Sequence, residues 1–152
     1  MKRLIIIVFS LLAAVFNLSA QSDLNTSADN IIGIYKVNHH GESNKVRVYK
    51  NSNGPYTAQV CWVANRLDEA GNVRLDEKNP DESLRTVECD KVVIIKGLVY
   101  NAEKQRWGGT KVYDPTRGFR ANVQCEFTEE GMLRVRGSLL GFSQSIYWKK
   151  IE

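Results

Sequence analysis

WGGTKVYDPTRGFRANVQCEF, residues 107–127, reads as two strands joined by a tight turn. Asp114-Pro115 opens the turn: proline presets φ at the second turn position, and the aspartate side chain caps the backbone two residues on. Gly118 closes it, at a position expected to need positive φ. Beyond the turn, Phe119, Ala121, Val123, Cys125 and Phe127 alternate with Arg120, Asn122, Gln124 and Glu126. A period of two puts one set on a buried face and the other in water.

The same texture extends in both directions. Strands are expected at 31–37, 45–50, 56–63, within 87–100, at 132–137 and at 146–151, with a loop or short strand at 139–145. Asn51-Ser52-Asn53-Gly54-Pro55 is a strong turn signal. The run Val92-Val93-Ile94-Ile95 is β-branched, which favours a strand. No amphipathic helical pattern stands out. About eight short, evenly spaced strands make an all-β domain, either a sandwich or a closed antiparallel up-and-down barrel. Closure removes sheet edges, and a barrel of roughly eight strands either fills with side chains or holds one small ligand.

Residues 1–20 have the form of a secretory signal peptide: Lys2 and Arg3, an apolar stretch over 4–16, then Ser19-Ala20 before the expected cut. Export to the periplasm or the medium follows. Residues 21–30 are polar and aperiodic and are expected to be a flexible lead-in to a single domain over 31–152. No other stretch is apolar enough to span a membrane. The chain carries 21 Lys and Arg against 17 Asp and Glu, a net charge of +4 that falls to +2 without Lys2 and Arg3, because 1–20 holds no acid. The charges are interspersed, so the clustered basic footprint of a nucleic-acid binder is missing.

Three cysteines, Cys61, Cys89 and Cys125, enter an oxidising compartment, so at least one is unpaired. Cys125 lies on the apolar parity of its strand, and Cys61–Cys89 is the preferred pairing. His39 and His40 are adjacent in a turn. Neighbours in a strand point to opposite faces, so they make a poor chelate unless the loop bends. No metal or other cofactor is expected. Residues 64–83 form a long acidic loop, read as solvated around Asp76, Glu77, Asp81 and Glu82.

DEKNPDESLR (76–85), WGGTKVYDPTRG (107–118), LRVRG (133–137) and the near-terminal Trp148 resemble the bacterial family named domain of unknown function 2147. The resemblance implies a small exported β-barrel similar to lipocalins and fatty-acid-binding proteins. It marks Asp76, Asn79, Pro80, Arg85, Trp107, Gly109, Tyr113, Asp114, Gly118, Arg136, Gly137 and Trp148 as motif residues. Tyr35 departs from the family pattern, which has Trp there. On their chemistry, Asn79-Pro80 and Asp114-Pro115 enforce turns, Gly108-Gly109 lets a strand bend, and Arg85 and Arg136 pair with Asp76 or Asp114.

Parity puts Val60, Trp62, Ala121, Val123, Cys125 and Val135 inward, as candidates to line a ligand cavity. The function expected is a non-catalytic carrier of a small, partly apolar molecule in the cell envelope. The alternatives are an envelope interaction module acting through the 64–83 loop and, third, an enzyme. Catalysis would call for convergence of groups such as Asp76, Arg85 and Asp114 in a cleft.

Overall fold

The computed structural model describes residues 22–152. The leader expected over 1–20 lies outside them. Eight strands, β1 (Gly33–His39), β2 (Glu42–Lys50), β3 (Tyr56–Val63), β4 (Val93–Asn101), β5 (Arg106–Asp114), β6 (Phe119–Phe127), β7 (Leu133–Leu139) and β8 (Phe142–Lys150), form a closed barrel. Each pairs antiparallel with the next. The barrel closes between β1 and β8 through Tyr35↔Lys150 and Lys36↔Lys149. The stretch at 139–145 holds the two-residue turn Leu140-Gly141 and the start of β8, not a loop.

Up-and-down order puts the turns at two ends. One end carries 51–55, 102–105, 128–132 and the N-terminal segment. The other carries His40-Gly41, the long connection 64–92, the 115–118 turn and Leu140-Gly141. The first end is sealed by aromatic rings. Trp107, fully buried, stacks at a tilt on Tyr100, with 5.0 Å between centroids, and edge-on against Phe127 at 5.8 Å. Tyr35 lies 6.0 Å from Trp148. The large residues of the apolar cluster, Ile31, Leu98 and Leu133 among them, gather here.

The segment expected to be a flexible lead-in is the floor of this end. It forms two 3-10 turns, Asp23–Thr26 and Ala28–Ile31. Asn25 is buried. Its side-chain amide donates to the Phe127 carbonyl at 2.9 Å, and its Oδ1 accepts from the Phe127 N–H at 2.7 Å. Trp107 Nε1 donates to the Ala28 carbonyl, and the Tyr35 hydroxyl to that of Ile31. These bonds satisfy polar groups that closure of the barrel removes from water. Asn25 is therefore a cap of the barrel end, while Asp23, Thr26, Ser27 and Asp29 around it stay exposed.

Two irregularities re-aim side chains. On β3, Val46 pairs with Val60 while Lys45 pairs with Trp62, so Cys61 is an extra residue. Such a bulge inverts the parity beyond it. Trp62, expected inside, is 45% exposed and lies under the Lys45 ammonium, and Val63 is buried in its place. On β5 the register slips between Trp107 and Thr110, with Gly109 at φ +79. That is the strand bend anticipated at Gly108-Gly109.

All three cysteines are free. The expected Cys61–Cys89 bond is not formed: the Cys61 thiol donates to the Lys45 carbonyl and the Cys89 thiol to that of Arg66. Cys125 is enclosed, and burial pushes its thiol up to about 12.

Candidate functional site: an open cavity and its rim

Beyond the aromatic floor the barrel is hollow. A cavity of about 1190 Å³ opens at the end that carries the long connection. Its walls are apolar, with Val46, Val60, Val112, Ala121, Val135 and Ile146 among them. Small side chains on adjacent strands leave this space. Ala121 pairs with Val112, and a Cβ built on Gly137 would lie 3.5 Å from the Ala121 Cβ. Of the residues placed inward by parity, Val60, Ala121 and Val135 line the cavity. Val123 and Cys125 are buried deeper, in the main apolar cluster with Trp107 and Trp148. Trp62 is outside.

The rim is polar. Residues 64–92 fold across it as an ordered strap, with bridges Leu67↔Val73 and Leu75↔Glu88 and a 3-10 turn at Glu82–Leu84. Arg66 holds Glu88 at 2.9 Å and Asp90 at 2.7 Å, and Arg74 holds Glu42 at 3.2 Å. Those guanidinium contacts keep the Glu42 and Asp90 carboxyls below their usual range. The backbone before β4 bonds within the strap: the Asp76 N–H donates to the Val87 carbonyl and the Cys89 N–H to that of Arg74.

Asp76 is not solvated as expected. It is buried, accepts the Tyr113 hydroxyl at 2.6 Å and takes the Asn79 side-chain amide at 2.7 Å. Burial, and then the Asp76 bond, push the Tyr113 hydroxyl above its ordinary range. Asn79 also accepts the Asp81 N–H, which sets the turn around Pro80. This motif thus rivets the strap to β5. Lys78 donates to the Thr116 carbonyl, and its own carbonyl would lie 2.5 Å from a Cβ on Gly118, which sits at φ +73. Gly118 is needed for its φ and for the close approach of the strap.

The expected arginine pairings do not form. Arg85 is turned outward, bonding the Asn79 carbonyl and Glu82, and Arg136 reaches Ser143 across to β8. Asp76 and Arg85 both bond Asn79, one through its side chain and the other through its carbonyl, while Asp114 bonds its own turn and the histidines. Asp114 uses Oδ1 to cap its own turn, accepting the Thr116 and Arg117 N–H groups. Its Oδ2 faces both histidines, 3.5 Å from His39 Nε2 and 3.8 Å from His40 Nε2. The adjacent rings converge because His40 adopts φ +50. Burial, then the neighbouring imidazole, lower the His39 pKa against the pull of Asp114. Glycine after a histidine pair was the visible signal for such a bend. Asn44, whose buried Oδ1 has no hydrogen-bond partner among the described residues, also lines the cavity. Nothing in its strand pattern distinguishes it.

Fold and cavity together define a lipocalin-like barrel. The solved structure described as "Protein HP1028 from the human pathogen Helicobacter pylori belongs to the lipocalin family" is similar to it, with a TM-score of 0.64 and 23% identity over 80% of this chain and 82% of that one. Residues 33–150 match the family described as "Uncharacterized protein conserved in bacteria (DUF2147)", and the chain belongs to that family. No curated protein matches.

Proposed function

We propose that this chain is an exported, non-catalytic carrier or sensor that holds a small, partly apolar molecule in its barrel. The observation that carries the reading is the cavity of about 1190 Å³, with valine and alanine walls and a polar rim. Ligand sites combine such walls with a few placed polar groups. The unpartnered Asn44 Oδ1 is an acceptor ready for a donor on the ligand. The lipocalin-like fold supports the same reading, and the leader pattern in 1–20 supports export to the periplasm or beyond.

The engagement of the reactive-looking groups supports a binding role over catalysis. His39 Nε2 is engaged by the Asp114 carboxylate, which is itself held by its own turn. Asp76 is tied to Tyr113 and Asn79.

Native mass spectrometry of the protein purified from its own host tests this. The expected spectrum contains an adduct of a few hundred daltons that organic extraction removes. Bare chain at every gentle condition, together with no uptake of added apolar probes, contradicts it.

A further inference from the structure

We propose that His39, His40 and Asp114 form a three-ligand site for a divalent transition metal of the zinc class, clasping the mouth of the barrel. The ligand atoms, His Nε2 from each ring and Asp114 Oδ2, are separated by 3.5 Å and 3.8 Å, and one ligating atom from each residue falls within 4.8 Å of the others. A tetrahedral ion with bonds of about 2.0–2.1 Å holds its ligand atoms about 3.3–3.4 Å apart. Side-chain rotations of a few tenths of an ångström to about one ångström close the set around an ion. Two imidazoles with one carboxylate suit zinc and its neighbours, whereas calcium and magnesium take oxygen donors.

The backbone is built for the convergence. Alternation along β1 would send the two rings to opposite faces. The left-handed turn at His40 instead brings their centroids within 3.8 Å. The carboxylate is oriented by its own turn, because the Thr116 and Arg117 N–H groups occupy Oδ1 and leave Oδ2 toward the histidines. Such outer support is what fixes a metal-ligating carboxylate. Arg117 lies 3.9 Å from the same oxygen on a half-exposed side chain. A surface pair of that length contributes little and gives way to an ion.

The ligands come from opposite sides of the barrel. β1 and β5 have three strands between them in either direction, so the metal links the β1–β2 and β5–β6 hairpins over the cavity. Three protein ligands leave one position for water or for a donor atom of a bound molecule. Metal uptake does not depend on the cavity being a carrier site.

The test is equilibrium binding of Zn2+ to tag-free, chelator-treated protein, with melting temperature and the visible spectrum of the Co2+ form as second readouts. One ion per chain, a higher melting temperature and tetrahedral Co2+ bands are expected. His39→Ala, His40→Asn and Asp114→Asn each should weaken binding by about tenfold or more. Asparagine tolerates the left-handed conformation at 40 and keeps the turn cap at 114. Absence of stoichiometric uptake by the unmodified chain overturns the proposal. So does undiminished uptake in folded His39→Ala and His40→Asn, which would place the ion away from the β1–β2 turn.

Discussion

Replacing Asn25 by alanine should damage the barrel far more than its place in a polar N-terminal segment suggests. The side chain makes both hydrogen bonds to the Phe127 backbone, and it is 1% exposed. Alanine leaves the Phe127 N–H and C=O buried beneath Trp107 without their partner. An orphaned buried group costs about 1–3 kcal/mol, so the pair should cost about 2–4 kcal/mol after partial relaxation. For a domain of this size, each kcal/mol moves the melting temperature by roughly 3–4 °C, so a fall of about 6–16 °C is expected. Thermal unfolding followed by circular dichroism reads it. Hydrogen exchange adds a local readout, because the Phe127 amide should lose protection before its β6 neighbours do. A melting temperature within about 2 °C of the parent, with Phe127 still protected, would show that the N-terminal turns do not seal the barrel.

The strap offers two more tests. Gly118→Ala combines the cost of positive φ with a 2.5 Å approach to the Lys78 carbonyl, whereas Gly71, at φ +83, has open space around it. Gly118→Ala should therefore lose about 2–4 kcal/mol and Gly71→Ala about 1 kcal/mol in urea unfolding, and equal losses would refute the contact. Tyr113→Phe removes the hydroxyl held by buried Asp76. It should cost about 1–3 kcal/mol and speed proteolytic nicking within 77–86, while an unchanged cleavage rate would show that the strap is anchored elsewhere. With all three thiols free and Cys125 enclosed, a thiol reagent should label Cys61 and Cys89 in the native protein and Cys125 only after unfolding. Labelling of none before reduction would reveal a disulfide.

The hairpin at 107–127 was legible because its two signals agree. Period-two alternation and turn chemistry both depend on residues close in sequence, and β6 and the Asp114–Gly118 turn appear where they were read. Trp62 fails the same test because its direction depends on β2. A bulge at Cys61 is a property of the pairing with Lys45 and Val46, and the β3 sequence alone carries no mark of it. Asn25 and Asp76 fail differently. Both are polar residues whose partners, Phe127 and Tyr113, are 102 and 37 positions away, so composition assigns them to solvent when closure has buried them. His39 and His40 lie between these cases, since the bend that unites them is local, but the carboxylate they face comes from the far side of the barrel.

The most direct measurement is titration of an apolar fluorescent probe into the parent protein and into Ala121→Trp. Ala121 lines the cavity wall beside Val112 and Gly137, so an indole there projects into open volume. If the barrel holds a small molecule, the parent binds the probe with one site per chain, and the tryptophan variant loses that binding at an undiminished melting temperature. A solid interior would instead lose about 1–3 kcal/mol on overpacking, with no probe bound by either protein. Equal binding by a stable Ala121→Trp protein would place the probe outside the barrel and contradict the carrier reading.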